Sequence, residues 1–279
     1  MKLAFSTNAF TRFTLIEALR QIKAAGFGGV EILADVPHAY PDAVGAAQVG
    51  AIVRELEKLD LQVSNINANC SFGYWRHAPP EPFFEPSLIS PVREHREDRA
   101  RLICKALEFG KAVGAANVSI TTGRMLAGMP PEKAAQQLAE SLPPILDRAD
   151  RLGVSIGIEC EPGLFVEHVS ELREWIDRLG HARLGANLDI GHSQVMGESI
   201  GGVIRLLGDR IWNMHVEDIP GRKHYHLIPG RGTVDWGELQ GGVEAIGYGR
   251  FLTVELYTYT ENPRAAAEES YEFLCRRLH

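Results

Sequence analysis

The sequence predicts an α/β fold, a single (β/α)8 TIM barrel over residues 1–279. Short apolar stretches alternate along the whole chain with segments of helical periodicity, and there are eight such pairs. Strands that alternate with helices form parallel sheets, and eight units close a barrel of about 250 residues. The connections after predicted strands are often long, whereas those leading from a helix back to a strand are short. No linker-like change of composition divides the chain, so we predict one domain.

The predicted strands are apolar runs that end at polar residues or glycine. Parallel strands covered by helices on one side and packed inside a barrel on the other are expected to look like this. The eight predicted strands cover residues 2–6, 29–33, 62–66, 117–121, 154–159, 184–189, 211–215 and 251–255.

The predicted helices have apolar residues three and four positions apart. In the first helix, Leu15, Leu19 and Ile22 share one face. The Pro143-Pro144 pair is a point where the fourth helix could kink or divide. The eight predicted helices cover residues 14–25, 48–59, 94–113, 131–152, 170–179, 202–207, 236–246 and 263–278.

Two long loops after predicted strands are expected to build the functional face. Residues 67–91 hold five prolines and the aromatic residues Phe72, Tyr74, Trp75, Phe83 and Phe84, which predicts a lid or wall over a site. Residues 216–233 are polar and rich in histidine, unlike an ordinary surface connection. Because the strand-to-helix loops of such a barrel form its active face, function is predicted at the carboxyl ends of the strands.

The composition disfavours several classes of protein. With 45% hydrophobic and 23% charged residues it is ordinary for a globular chain, and it has no apolar run long enough to cross a membrane. The net charge of −7 and the absence of a basic stretch disfavour nucleic acids and membrane surfaces as partners. Four scattered cysteines and a first segment without a secretory signal predict a cytoplasmic protein. A small-molecule substrate is expected, and assembly into a homo-oligomer stays open.

Four predicted strands end in residues that should not be buried alone: Glu159, Asp189, His215 and Glu255. Each follows an apolar run, and desolvating an isolated charge is costly. For one such residue, a salt bridge with Lys or Arg would be the ordinary explanation. Four on adjacent strands predict instead that three carboxylates and one imidazole hold a divalent metal ion. This ligand set suits Mn²⁺, Mg²⁺, Co²⁺ or Zn²⁺.

Six parts of the chain carry a family resemblance: residues 24–32 (AAGFGGVEI), Glu159, residues 187–193 (NLDIGHS), residues 215–218 (HVED), residues 229–236 (PGRGTVDW) and residues 253–256 (TVEL). Together they resemble the xylose-isomerase-like TIM barrels. This superfamily includes sugar and sugar-phosphate isomerases and epimerases, inosose dehydratases and the endonuclease IV type of DNA repair enzyme. The resemblance implies that Glu159, Asp189, His215 and Glu255 are the shared metal ligands, and that Glu159 and Glu255 also transfer protons from opposite faces of the substrate.

Polar residues expected near these ligands are candidates for binding substrate. The resemblance implies this role for His192, while Arg222 and His226 are candidates from the loop after the seventh strand. Arg222 could equally be a surface arginine. His192, His224 and His226 could instead form a second metal site, although a contact from one imidazole to a substrate hydroxyl is the preferred interpretation. Glu161 is either a substrate-binding carboxylate or a turn residue beside a proline.

The function predicted from these residues is a metal-dependent isomerase or epimerase of a small polyhydroxylated carbonyl compound: a ketose, a sugar phosphate or a keto-cyclitol. Two glutamates beside a metal suit proton transfer next to a carbonyl, through a metal-bound enediolate. One alternative is a metal-dependent lyase that dehydrates a cyclic keto-polyol, and another is a barrel that binds a metabolite with its metal but does not catalyse. Metal content and a screen of ketoses, keto-inositols and their phosphates would separate them.

An endonuclease IV type of DNA repair activity is the least favoured alternative. The nuclease branch has further histidines after the third and fourth strands, whereas here residues 67–69 read NAN and residues 121–123 read TTG. The acidic chain also lacks the basic stripe that would bind a phosphate backbone.

Overall fold

A computed structural model describes residues 1–77 and 84–278, and in them eight parallel strands form a closed barrel. Each strand pairs with its neighbour in chain order, and the last pairs with the first to close the sheet. The (β/α)8 TIM barrel is therefore confirmed, with strand ends within one residue of the prediction, which is the usual uncertainty of such boundaries. The strands are β1 Lys2–Ser6, β2 Gly29–Leu33, β3 Gln62–Asn67, β4 Asn117–Ile120, β5 Ser155–Ile158, β6 Leu184–Asp189, β7 Ile211–Val216 and β8 Phe251–Val254.

The described residues contain nine α-helices, one more than predicted. The additional helix, α6, begins directly after β6, where the Asp189 side chain accepts a hydrogen bond from the His192 backbone N–H and caps it. None of these helices combines the length and the apolar character needed to cross a membrane. The helices are α1 Leu15–Ala24, α2 Ala46–Leu59, α3 Arg93–Val113, α4 Pro131–Leu152, α5 Val169–Leu179, α6 Ile190–Met196, α7 Ile200–Leu207, α8 Trp236–Ala245 and α9 Pro263–Arg277.

Helix α4 runs without a break through Pro143 and Pro144. Both prolines lie on its exposed face, while Leu142 and Ile145 beside them are fully buried. Packing of this apolar face stabilises the helix across the pair, although each proline removes one backbone donor. The two prolines therefore do not divide the helix.

The interior of the barrel is polar near its axis, whereas the layer between barrel and helices is apolar. Asn65 on β3 accepts a hydrogen bond from Asn117 on β4 at 2.6 Å, and Asn187 on β6 accepts one from Asn213 on β7 at 2.8 Å. All four side chains are buried, so these mutual bonds compensate for their loss of water. The candidate site therefore rests on a hydrogen-bonded polar layer and not on an apolar one.

Arg99 holds the start of the loop after β3. Its buried guanidinium donates to the carbonyl oxygen of Asn69 at 2.8 Å, to that of Cys70 at 3.2 Å, and also to Ala68 and Ser71. One cation on α3 thus satisfies three successive backbone carbonyls, and Thr121 after β4 also donates to that of Asn69 at 3.0 Å. This contact fixes Asn69 and the neighbouring Phe72 at the carboxyl end of the barrel.

Candidate active site

The structure brings Glu159, Asp189, His215 and Glu255 together at the carboxyl ends of four strands. Glu159 and Glu255 directly follow β5 and β8, Asp189 ends β6, and His215 lies in β7. His215 Nδ1 is 3.3 Å from an oxygen of Glu159, 3.6 Å from one of Glu255 and 3.8 Å from one of Asp189. All four residues are buried, and one ligand atom from each lies within 4.8 Å of the others.

Side-chain amides orient both glutamates. Glu159 Oε2 accepts hydrogen bonds from Asn69 at 2.9 Å and from Asn187. Glu255 Oε1 accepts them from Asn8 at 2.9 Å and from Asn67 at 3.0 Å. Each carboxylate therefore has one oxygen fixed by two neutral donors, while the other oxygen faces a histidine. None of these asparagines was predicted from sequence to have a role at the site.

Of the four residues, Asp189 has the carboxylate whose surroundings best fit a bound cation. Its Oδ1 accepts a hydrogen bond from the His192 backbone at 2.7 Å, but its buried Oδ2 has no hydrogen-bond partner among the described residues. Burial would raise the pKa of Asp189, yet the positive charge of the histidines around it, His192 above all, lowers that pKa below its usual range. Its Oδ2 accepts no hydrogen bond from the described part of the chain and lies 3.6 Å from His192 Nε2 and 3.8 Å from His215 Nδ1. A buried, ionised oxygen in such surroundings, beside two other carboxylates, fits a divalent metal ion.

Glu31 is a buried residue at this site that was not predicted from sequence. It lies in β2, where its Oε2 accepts hydrogen bonds from His215 Nε2 at 2.6 Å and from Asn65 at 2.7 Å. The available signal was a glutamate in the middle of the five-residue apolar strand GVEIL. Periodicity did not show that its carboxylate points into the barrel towards β7.

A cavity of about 380 Å³ opens above the four clustered residues. Its lining combines polar and apolar side chains. Phe72 and Phe84 of the predicted aromatic wall are among the apolar ones, whereas Tyr74 and Trp75 pack against His95. Phe83 and three of the prolines in that wall lie outside the described residues. The polar wall of the cavity includes Glu159, Glu161, His192, His224, His226 and Glu255, and the apolar lining also includes Leu33, Val36 and Tyr257.

Two of the cavity histidines are oriented by backbone carbonyls. His192 Nδ1 is 2.9 Å from the carbonyl oxygen of Cys160, and His226 Nδ1 is 3.0 Å from that of Glu255. His224 completes the group, with its Nε2 3.1 Å from His226 Nε2. The three imidazoles of the possible second metal site thus meet in one place, beside Glu161.

Their surroundings give these histidines different charges. Burial would lower the pKa of His192, but the carboxylates of Asp189 and Glu161 raise it to about 9. Burial lowers the pKa of His226 to about 3. At neutral pH and without a metal, His192 is a cation and His226 is neutral. The polar wall therefore offers a charged donor next to a neutral imidazole.

Arg222 does not reach the cavity, contrary to the prediction from sequence. Its exposed side chain donates from Nε to the carbonyl oxygen of Val195 at 2.9 Å. The cause is a surface turn in which the Lys223 N–H donates to Pro220 and Gly221 has a φ of 66°. This turn directs Arg222 along α6 and away from the strand ends, so we leave it out of the proposed site.

Asp218 organises the loop that carries His224 and His226. Its carboxylate accepts hydrogen bonds from the backbone of Gly230 at 2.8 Å and of Val234 at 2.9 Å, which lie near the far end of the loop. Its backbone N–H and C=O both bond to Leu227 at 2.8 Å. These bonds bring the two ends of the loop together and leave residues 220–225 between them.

A family model described as the xylose isomerase-like TIM barrel matches residues 19–277. The chain belongs to this family. It is 26% identical over 280 residues to fructoselysine 3-epimerase of Escherichia coli O157:H7, covering 98% of this chain and 96% of that one. Within this family the carboxyl ends of the strands, where the four buried residues meet, are the natural place to look for chemistry.

Solved structures share the fold over the whole chain. A D-tagatose 3-epimerase-like protein superposes with a TM-score of 0.83 at 18% identity, covering 100% of this chain and 97% of that one. The IolI protein with a bound zinc atom superposes with a TM-score of 0.80 at 18% identity, covering 100% and 98%. At this identity the likeness shows the shared barrel.

Proposed function

We propose that this chain is a divalent-metal-dependent epimerase or isomerase of a small polyhydroxylated carbonyl compound. The observation that carries the proposal is the meeting of two amide-oriented glutamates, Glu159 and Glu255, at one buried cluster below a cavity. The names of the relatives support it, since fructoselysine 3-epimerase aligns over nearly the whole chain. The zinc atom in the IolI structure supports the metal.

The metal would be held by Glu159, Asp189, His215 and Glu255, whose oxygen-rich donor set accepts Mn²⁺, Mg²⁺, Co²⁺ or Zn²⁺. A bound divalent cation would polarise the substrate carbonyl and stabilise the negative charge that develops beside it. Asp189 Oδ2, which accepts no hydrogen bond from the described residues, would gain a positively charged partner in this ion.

The two glutamates would exchange the proton on the carbon next to the substrate carbonyl. They follow different strands, β5 and β8, and would approach the substrate from different sides. One would take the proton and the other would return one, which inverts that carbon in an epimerase. The amides of Asn69 and Asn67 keep the two carboxylates in place for this step.

The polar wall would recognise substrate hydroxyls. His192 is the proposed hydrogen-bond donor, and His226 and Glu161 are the proposed acceptors. None of the described cavity-lining residues is Lys or Arg, and residues 78–83 contain neither. Among these residues the cation is the imidazolium of His192, which already lies beside the carboxylates of Glu159 and Glu161. This favours an unphosphorylated substrate.

Hydrogen exchange in D₂O tests the proposal directly. The protein, stripped of metal and then reloaded with Mn²⁺ or Co²⁺, is incubated with ketoses, keto-inositols and their phosphates and followed by NMR. We expect metal-dependent loss of the hydrogen next to the carbonyl and formation of the epimer or isomer. Loss of water from a keto-inositol would support the lyase instead, and binding without exchange for every compound would support a non-catalytic barrel.

A further inference from the structure

We propose that Glu31 is a positioning residue: its carboxylate holds the imidazole of His215 so that Nδ1 faces the three carboxylates of the candidate metal site. This inference rests on the proposed function, because it takes Glu159, Asp189, His215 and Glu255 as the ligands. Glu31 itself is not in that cluster.

The two ring nitrogens of His215 face different carboxylates. Nε2 is 2.6 Å from Glu31 Oε2, and both side chains are fully buried. Nδ1 lies 3.3–3.8 Å from oxygens of the three other carboxylates. Since the nitrogens of an imidazole point in divergent directions, a carboxylate at Nε2 cannot bind an ion held at Nδ1. Glu31 fixes which nitrogen is the ligand, because Nε2 keeps its proton to donate to the carboxylate.

Glu31 is itself held rigidly. Asn65 donates to its Oε2 at 2.7 Å, and Asn67 donates to its Oε1 at 3.2 Å. Asn65 is in turn fixed by Asn117, which donates to its Oδ1 at 2.6 Å. Three neighbouring strands therefore determine where this carboxylate lies. The Asn67 amide also donates to Glu255, which links Glu31 to a second ligand.

The negative charge of Glu31 indicates that its contact with His215 is more than structural. Elsewhere in the barrel interior, neutral pairs such as Asn213 and Asn187 satisfy each other. A buried carboxylate is costly by comparison and is expected only where its charge has a use. Beside a ligand imidazole it increases the electron density at the opposite nitrogen and strengthens metal binding.

Two variants and a matched control test this role. Glu31→Ala removes the acceptor, whereas Glu31→Gln keeps an oxygen that accepts the Nε2 proton but removes the charge. Glu55→Ala is the control, since Glu55 is also a mostly buried glutamate but pairs with Arg20 on the helix layer. Co²⁺ affinity is measured by calorimetry, and thermal unfolding is measured in EDTA. We expect Glu31→Ala to weaken Co²⁺ binding about 10- to 100-fold, Glu31→Gln to weaken it less, and the control to leave it unchanged.

Proton NMR of the Co²⁺ form adds a readout that loss of stability would not produce. The Nε2 proton of His215, assigned by its absence in His215→Gln, should exchange with water faster in both Glu31 variants. Wild-type Co²⁺ affinity together with wild-type exchange in folded Glu31→Gln would overturn the inference, and this variant decides the question if Glu31→Ala does not fold. A wild-type protein that binds no Co²⁺ would overturn the proposed function, and the role of Glu31 with it.

Discussion

Glu255 has its two oxygens in different surroundings, one between two amides and the other 3.6 Å from the ring nitrogens of His215 and His226. Glu255→Gln preserves the shape and the amide contacts but removes both the charge and the basicity. We expect turnover to fall by at least about 10²- to 10⁴-fold, the usual worth of a general acid or base, and metal affinity to fall as well. The measurement is exchange of the substrate α-hydrogen with D₂O.

The matched control is Glu261→Gln, in an exposed glutamate that pairs with Arg12 on the surface. It should exchange at the wild-type rate. If Glu255→Gln exchanged as fast as this control while remaining folded, Glu255 would have no part in proton transfer.

His192 predicts a pH dependence of the metal-free protein. Its pKa is raised from 6.5 to about 9, so the folded state holds this proton more tightly than the unfolded state does. The resulting stability is fully present below pH 6.5 and is lost as the pH rises through 9, with a total on the order of 3 kcal/mol. Thermal unfolding in EDTA between pH 6.5 and 9.5 should show a steeper decline in wild type than in His192→Gln.

His77→Gln is the control for this experiment, because His77 is exposed. It should reproduce the wild-type pH profile. Parallel profiles for wild type and His192→Gln would mean that the proton on His192 does not stabilise the fold.

Among the structural elements, the loop after β3 depends most on a single side chain. Arg99→Met would leave the carbonyl groups of Ala68 and Cys70 without this donor, at roughly 1–3 kcal/mol for each unpaired group. We therefore expect the free energy of unfolding to fall by about 3 kcal/mol or more in urea. Substrate KM should rise as well, because Asn69 donates to Glu159.

Arg93→Met, on the same helix, is the comparison. Its side chain is 82% exposed and pairs with Glu97 one turn away, so the change should stay within about 0.5 kcal/mol. Equal stability losses in the two variants would show that the Arg99 contacts contribute nothing specific.

The sequence was sufficient to predict every strand, because each is an apolar run bounded by polar residues or glycine. It was insufficient for α6, since the seven residues IGHSQVM are too few and too polar to show a periodicity. The prediction that α4 could kink or divide at Pro143 relied on the missing donors alone. Packing of the neighbouring apolar face, which a single sequence does not display, decides that the helix continues.

The candidate site, like the fold, could be predicted only in part. Glu159, Asp189, His215 and Glu255 could be predicted to meet, because parallel strands bring their carboxyl ends to one ring. Glu31 could not, since its role depends on a contact with a residue 184 positions away. Arg222 was misplaced because a turn at Gly221 reverses the loop, and spacing along the chain does not reveal that reversal.

At the scale of the whole molecule, metal binding should stabilise the fold. A ligand that binds only the folded state at 100 times its Kd adds about 2.7 kcal/mol, which for a chain of this size raises the Tm by roughly 5–10 °C. EDTA should lower the Tm of the protein as purified, and Mn²⁺ or Co²⁺ should restore it. K⁺ at equal ionic strength is the control. A Tm that is the same with and without EDTA and the divalent ions would contradict the metal site.

The bonds of Asp218 separate the loop after β7 into a fixed base and a variable tip. The base tolerates little change, because a side chain at Gly232 would lie 2.3 Å from the Asp218 carboxylate. The tip, by contrast, holds the exposed Lys223 and Tyr225 on either side of His224 at the cavity. Mutational drift at the tip can therefore alter which ligands enter without unfolding the barrel. Substitutions at these three positions, whether in evolution or in a directed library, are thus a route to new substrates on the same barrel.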